Sequence, residues 1–200
     1  MNNDRRTNRK PRLLVLLCIL WLSGVAGGMA VLYDYSNQPG PSSGAPLRWP
    51  QASSIDRHPG RATLLIFAHP RCPCTRATIG ELAVAMRHVQ GQVSGHVLFS
   101  KPEPLPNDWE KTDLWRSAAA IPGVQVLTDL DGTEARRFRA ATSGAALLYD
   151  ADGKLIFNGG ITESRGHHGD NAGRSAVVAL LTQGIPDRDK TFVFGCELFD

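Results

Sequence analysis

An uncharged run from Leu13 to Tyr33 constrains this chain more than any other feature of its sequence. Its 21 residues are enough for a helix that crosses the hydrocarbon core of a bilayer, which is about 30 Å thick. Basic residues precede the run and Asp34 follows it, which predicts a cytoplasmic N-terminus and an exported C-terminal body. We therefore expect residues 1–12 to be a basic cytoplasmic tail and residues 13–33 a single-pass anchor in the inner (cytoplasmic) membrane.

A cleaved signal peptide is the alternative interpretation of the same run. The apolar segment of a signal peptide has about 7–15 residues, and this run is longer. Gly28-Met29-Ala30 is an acceptable cleavage site, so the alternative stays open. The length of the run favours the anchor.

The positive net charge comes from the N-terminal tail. The whole chain holds 22 basic and 19 acidic side chains, and its first twelve residues hold five of the basic ones and one of the acidic ones. The remaining residues are therefore almost neutral. We expect no basic patch in the folded part and no nucleic-acid partner.

Residues 34–60 have the composition of a linker. Five prolines are mixed with glycine and serine, and apolar periodicity is absent. Such a segment is semi-extended and holds a domain away from the membrane. We expect the folded domain, with its cysteine-bearing C-terminal tail, to occupy residues 61–200.

Within this domain, strand and helix patterns alternate. Thr63 to Ala68 is a short, almost continuous apolar run, as in a strand that is buried on both faces. The residues that follow predict helices over 75–89, 107–120, 133–139 and 170–183, and strands over 93–100, 124–128, 145–149 and 155–158. This order predicts an α/β fold in which a central sheet is flanked by helices.

Two cysteines stand in the turn between the first strand and the first helix of the domain, as Cys72-Pro73-Cys74. The N-terminus of a helix carries partial positive charge and unpaired N–H groups, which stabilise a thiolate. His69 and Arg71 are possible further positive charges beside it. We therefore expect the reactive thiols of the protein to lie in this turn. The alternative is that the two cysteines are unreactive and only stabilise the fold.

The domain resembles the thioredoxin-like superfamily over residues 61–183. The resemblance is carried by Leu65-Ile66-Phe67-Ala68 before the cysteine turn, and by the late hairpin Ala146–Asp150 and Gly153–Phe157. It implies a thioredoxin-like fold with a central mixed sheet, preceded here by one transmembrane helix. Residues 161–167 and the Cys-Pro-Cys turn look similar to the RedB-type branch of membrane-anchored exported proteins.

The chain departs from that family at two points. The usual redox pair is Cys-x-x-Cys, whereas one residue separates Cys72 from Cys74. The family's cis-proline, which precedes the strand facing the active site, is replaced by Gly144. Glycine tolerates unusual backbone geometry but does not enforce a cis bond.

The close spacing of the two cysteines predicts a strained disulfide. Strained disulfides are easier to reduce and have more oxidising potentials, which favours an oxidase or isomerase over a strong reductant. We expect Cys72 to be the exposed attacking thiolate and Cys74 to resolve the mixed disulfide. The opposite assignment is also possible.

Cys196 is a third cysteine outside the apolar run and lies near the C-terminus. An odd number of cysteines in an exported chain suggests a free thiol, an intermolecular bridge or a third partner for the pair. If the tail folds back, Cys196 can resolve a mixed disulfide. It can instead join Cys72 and Cys74 in a soft Cu(I) or Zn site completed by a histidine, with His69, His167 and His168 as candidates.

These features predict a membrane-anchored thiol–disulfide oxidoreductase with Cys72, Cys74 and Cys196 as catalytic residues and no cofactor. Its expected substrate is an exported protein or a small thiol. The alternatives are a copper-binding chaperone that uses the three thiols, and a non-catalytic assembly factor with a thioredoxin fold.

Overall fold

The chain divides between Asn37 and Gln38 into two units, which are described separately. The computed structural model describes residues 9–41, 44–186 and 188–199. The expected basic tail therefore falls largely outside the described residues.

The first unit contains one helix, α1, at Arg9–Asn37. From Pro11 onward, this helix is long and apolar enough to cross a membrane. The expected anchor over residues 13–33 lies inside it. One N-terminal apolar helix is thus available to attach the chain to a membrane.

A five-stranded mixed sheet forms the second unit, in the order β3-β2-β1-β4-β5. Strands β1, β2 and β3 are parallel, and β4 and β5 are each antiparallel to the preceding neighbour in the sheet. This is the thioredoxin-like sheet with flanking helices that the sequence predicted. The elements are β1 (Ala62–Ala68), α2 (Pro73–His88), β2 (Val93–Lys101), α3 (Asp113–Ala119), β3 (Val124–Leu130), α4 (Thr133–Arg137), β4 (Ala145–Tyr149), β5 (Leu155–Gly160) and α5 (Ala172–Thr182).

Both faces of the central strand β1 are buried. Leu64 and Ile66 belong to the apolar cluster that includes residues of α2, α3 and α5. Leu65 and Phe67 point to the other face, into a second cluster with residues of α4 and β4. A strand covered on both sides needs no polar alternation, which explains its continuous apolar run.

The helix expected over residues 107–120 is shorter in the structure. Helix α3 begins only at Asp113. Asp108 has a φ of 68°, in the left-handed region, so the backbone before α3 turns instead of continuing a helix. Aspartate adopts this region more readily than most residues because its short side chain bonds locally.

The segment expected as a linker over residues 34–60 does not stay extended along its whole length. Its first four residues belong to α1, and the residues from Gln38 onward belong to the second unit. Ile55 is buried, and the Trp49 ring lies edge-on to the Tyr149 ring with centroids 5.2 Å apart. The Tyr149 hydroxyl donates to the Pro46 carbonyl at 2.9 Å. Isolated apolar residues without a period predict no helix or strand, so this segment has the composition of a linker although part of it packs.

Glu81 joins helix α2 to the start of α5. It is almost fully buried and accepts from the Gly169 N–H at 2.9 Å and from the Asn171 side-chain amide at 3.2 Å. It also pairs with the Arg174 guanidinium. Asn171 in turn caps α5 by accepting from the Arg174 N–H at 2.7 Å. The carboxylate therefore anchors α2, the helix that begins at the cysteine turn.

Replacing Glu81 by glutamine should lower the free energy of unfolding by about 3 kcal/mol, because breaking a buried pair leaves an unpaired charge. Urea unfolding of the detergent-solubilised protein, followed by tryptophan fluorescence, measures this loss. The exposed Glu103 supplies the matched control, and Glu103→Gln should change stability by less than about 0.5 kcal/mol. Equal stability of the two variants would contradict the anchoring role of Glu81.

Candidate active site

The cysteine turn follows directly from the end of β1 and the beginning of α2. Cys72 is the N-cap of α2, with extended backbone, and Pro73 opens the first helical turn. Proline suits this position because its fixed φ matches the helix and its missing N–H has no partner to lose. The Cys72 N–H donates to the His69 carbonyl at 3.2 Å and closes the turn. The Cys72 side chain is thereby held beside the free N–H groups of the helix start.

Cys72 is buried rather than exposed. The sequence analysis expected it at the accessible apex of the turn, and this expectation is wrong, since only 1% of the residue is exposed. Cys74, which was expected to lie deeper, is half-buried, as is Cys196. The difference arises because the C-terminal segment folds back over the turn.

We call this segment, Thr191–Leu198, the C-terminal strap. Its backbone is hydrogen-bonded to the stretch before β4: the Ser143 N–H donates to the Cys196 carbonyl at 2.8 Å, and the Leu198 N–H donates to the Ala141 carbonyl at 2.8 Å. Gly195 lies so close that a Cβ atom there would be 1.9 Å from the Ser143 carbonyl oxygen. Only glycine permits this approach, and it brings the next residue, Cys196, over the cysteine turn.

The Sγ atoms of Cys72 and Cys196 are 3.0 Å apart and form a hydrogen-bond contact. The two residues are separated by 124 positions in the sequence. All the cysteines are free thiols in the structure. Of the possibilities that the sequence left open for Cys196, the structure therefore favours a direct partner of the cysteine turn.

The environment of Cys72 favours its thiolate. Burial raises the pKa of this thiol, but hydrogen bonds from the Cys196 thiol and from the backbone N–H groups of Cys196, Thr75 and Cys74 outweigh burial, so the pKa lies below its ordinary value. With Cys72 ionised, the Cys196 S–H is the donor in the sulfur contact. The helix start adds to this stabilisation.

The other two thiols hold their protons more tightly. Burial and the proximity of Cys72 raise the pKa of Cys74, and the same causes raise the pKa of Cys196 to about 12. Arg165 acts against both shifts through its positive charge. Its guanidinium also donates to the Gly195 carbonyl, with Nη1 at 2.6 Å from the oxygen, and so holds the strap beside the thiols.

Ser143 connects the stretch before β4 to the cysteine turn. Its Oγ accepts from the His69 N–H at 2.8 Å and lies 2.8 Å from the Thr75 Oγ1. The neighbouring Gly144 has a φ of 95°, which suits glycine, and its N–H donates to the Phe67 carbonyl at 2.7 Å. The segment before β4 therefore contacts both ends of the cysteine turn, at His69 and Thr75, through a serine hydroxyl.

An aromatic side chain borders the turn on the side of the loop before α3. The Trp109 ring lies edge-on to the His69 ring, with centroids 5.8 Å apart, and the Arg71 guanidinium lies 4.8 Å from the Trp109 centroid. Thr112 Oγ1 donates to the Pro70 carbonyl at 3.1 Å. His69 and Arg71, expected as charges beside the thiols, are thus held by this loop.

The metal-site alternative finds no support in the described residues. Among them, no group of three or more His, Cys, Asp or Glu side chains is arranged to hold a metal ion. His168 Nδ1 lies 3.9 Å from Glu81 Oε1, and the His69 Nδ1 accepts from the Arg71 N–H at 3.2 Å. Both histidines serve contacts other than completion of a thiolate site.

Three residues with a part in the site were not among the sequence candidates: Thr75, Ser143 and Arg165. The first two are small polar residues whose role depends on the pairing of distant segments. Arg165 stands in the stretch 161–167 that carried the narrower family resemblance. A single arginine next to a glycine-rich loop was the signal available for it.

No family model and no curated protein matches this chain at a significant level. Its structure is similar to that of a hypothetical protein from Sinorhizobium meliloti, with 23% identity over 70% of this chain and 79% of that one and a TM-score of 0.57. It is also similar to an uncharacterized conserved protein from Geobacillus kaustophilus, with 21% identity over 82% and 92% of the two chains and a TM-score of 0.58.

A weaker similarity, with a TM-score of 0.46, relates it to the pneumococcal exposed lipoprotein thioredoxin (Etrx1) from Streptococcus pneumoniae, at 16% identity over 62% of this chain and 85% of that one. The similarities to the first two proteins concern the fold alone. The resemblance to the RedB-type branch stays a prediction.

Replacing Cys196 by valine should raise the pKa of Cys72. Valine still covers the thiol but donates no hydrogen bond to its thiolate. The pH at which iodoacetamide alkylates Cys72 at half its maximal rate, followed by mass spectrometry of the Cys72 peptide, measures the shift. Cys18→Val, which changes a cysteine of α1, is the control, and it should leave this midpoint unchanged. A midpoint that does not rise in Cys196→Val would contradict the donor role of Cys196.

Proposed function

We propose that the protein is a membrane-anchored thiol–disulfide oxidoreductase of the oxidising or isomerising kind, with Cys72 and Cys196 as its working pair. The observation that carries the proposal is the 3.0 Å contact between their sulfur atoms at the start of α2. The pair joins a helix-cap thiol of lowered pKa to a thiol on a separate, hydrogen-bonded strap. Cys74 is the third thiol of the site.

The reaction is an exchange of one disulfide for another. A substrate with two thiols reduces the Cys72–Cys196 disulfide: one substrate thiolate forms a mixed disulfide with the protein, and the second substrate thiolate then displaces the protein sulfur. The substrate leaves as a disulfide, both protein cysteines become thiols, and two electrons pass from substrate to protein. An oxidised low-molecular-weight disulfide restores the protein disulfide by the reverse exchange.

Stabilisation of the reduced form supports the oxidising direction. A thiolate that is favoured by hydrogen bonds and by a helix N-terminus makes reduction of the disulfide easier, so its potential becomes more oxidising. The lowered pKa of Cys72 therefore makes the reduction potential of the pair more oxidising. We therefore place the protein among oxidants and isomerases rather than strong reductants.

The proposed location follows from the N-terminal helix and the charges around it. The span Pro11–Asn37 can hold the chain in the cytoplasmic membrane, and the basic residues before it favour retention of the N-terminus in the cytoplasm. The thiol unit would then lie in the periplasm or another extracytoplasmic space, where disulfides persist. An exported protein or a small thiol is the substrate class that fits this compartment.

Full-length protein in detergent micelles should accelerate the refolding of reduced ribonuclease A in a glutathione buffer. Cys72→Ser and Cys196→Ser should each reduce the rate to the buffer background, because each removes one sulfur of the working pair. Recovered ribonuclease activity against time is the measurement. Cys18→Ser, which changes a cysteine of α1, should retain the full rate.

Two outcomes of this assay would change the assignment. If Cys74→Ser abolishes the activity and Cys196→Ser does not, the working pair is Cys72 and Cys74. If the unmodified protein has no activity above background, the non-catalytic assembly factor becomes the better interpretation.

The reduction potential of the pair should be higher than that of thioredoxin, which is about −270 mV. The physical reason is the stabilised Cys72 thiolate in the reduced form. Equilibration of the protein in glutathione buffers of graded ratio, followed by acid quenching and mass spectrometry, gives the value. A potential below that of thioredoxin would contradict the oxidising role.

A further inference from the structure

We infer that a substrate thiol enters the site at Cys196, so that the mixed disulfide forms on the C-terminal strap and Cys72 is the leaving sulfur. This inference rests on the proposed function, because it requires a Cys72–Cys196 disulfide. It assigns different roles to the two sulfurs: Cys196 carries the substrate, and Cys72 receives the displaced electron pair at the helix start.

The direction of attack is the first argument. A thiolate displaces a sulfur from a disulfide by approaching in line with the S–S bond, from the side opposite the leaving sulfur. To attack Cys72, it would have to arrive from behind that residue, which is only 1% exposed. Cys196 is half-buried, and the next residue, Glu197, is exposed. The approach behind Cys196 is therefore the one that leads to solvent.

The leaving group is the second argument. Exchange is faster when the departing thiol has a lower pKa. The pKa of Cys72 is lowered, whereas that of Cys196 is raised to about 12. Departure of Cys72 therefore gives the more stable thiolate. Attack on Cys196, the sulfur that solvent reaches, makes Cys72 the leaving sulfur, so the two arguments agree.

Arg165 supplies a positive charge on the entry side. Its positive charge offsets part of the rise in the pKa of both Cys74 and Cys196, so the charge acts at the positions of the two half-buried sulfurs. Its bond to the Gly195 carbonyl keeps the guanidinium beside the strap. An incoming thiolate is negative, and the same charge attracts it toward Cys196.

The strap is built to hold a mixed disulfide in place. The residues on either side of Cys196 are fixed by Gly195 against Ser143 and by the Leu198 N–H to the Ala141 carbonyl. Leu198 is itself buried. Cys196 can thus exchange Cys72 for a substrate sulfur while its backbone keeps its partners. The sulfur–sulfur bond between the cysteines breaks, a bond from substrate sulfur to Cys196 forms, and the released electron pair resides on Cys72 as its thiolate.

The test traps the first exchange on the full-length protein in detergent micelles. The protein is oxidised with excess oxidised glutathione, and the Cys72–Cys196 disulfide is verified by non-reducing peptide mapping. It is then treated briefly with reduced glutathione and quenched with iodoacetamide, and mass spectrometry locates both labels. We expect glutathione on Cys196 and the carbamidomethyl group on Cys72. The same experiment in Cys74→Ser prevents the third thiol from moving the adduct.

Adduct found mainly on Cys72, or equally on both cysteines, in the Cys74→Ser protein would overturn the inference and leave the proposed pair intact. Absence of the starting disulfide would overturn the pair and the inference together. The two failures are therefore distinguishable by the mapping step.

Substitution of Arg165 tests independently whether the substrate thiolate approaches Cys196 past this positive charge. Arg165→Gln should slow adduct formation about two- to fivefold, the size expected for a half-exposed charge, and Arg165→Lys should restore most of the rate. Arg116→Gln removes an exposed arginine of α3 and should leave the rate unchanged. If Arg165→Gln reacts as fast as Arg116→Gln, the charge has no part in entry.

Discussion

The close pairing of Gly195 with Ser143 is the constraint on which the whole site depends. It fixes Cys196 over a cysteine that lies 124 positions earlier in the chain. Closing so long a loop costs entropy that two thiols do not offset. The sheet offsets this entropy, because Ser143 lies two residues before β4, and β4 pairs with β1, which ends at the cysteine turn. One strand pair therefore positions both halves of the site.

The electrostatic consequence of this packing is a division of roles between neighbouring thiols. Burial alone opposes charge on Cys72, and hydrogen bonds with the helix start reverse the balance. The negative charge that they stabilise then makes ionisation of Cys74 and Cys196 harder. The cluster thus favours one thiolate at a time, and that thiolate is at the best-shielded position. The more accessible sulfur, that of Cys196, is therefore not the one that ionises most readily, which is that of Cys72.

The sequence pattern predicted those strands and helices whose formation depends on the residues within them. The unbroken apolar run of β1 identified a strand covered on both faces, whereas the helix after it begins at Pro73, two residues before its predicted start. The family resemblance, and not local chemistry, identified the segment around Gly144 as the one that faces the turn. The strap was not predicted to cover Cys72, because it forms no helix or strand of its own and its partners are backbone groups. For the same reason, the sequence pattern wrongly predicted that Cys72 is exposed.

The one-residue spacing of Cys72 and Cys74 has a different meaning once Cys196 is the partner. From the sequence, an oxidising potential followed from strain in a short ring. In the proposed pair, no such ring forms, and the same direction follows from stabilisation of the Cys72 thiolate in the reduced state. The two causes differ in what they require of Cys74: strain needs its sulfur in the disulfide, whereas thiolate stabilisation needs Cys74 only as a hydrogen-bond donor to Cys72. Pro73 then serves to start the helix immediately after Cys72, so that the first free N–H groups of α2 lie next to the sulfur that must leave as an anion.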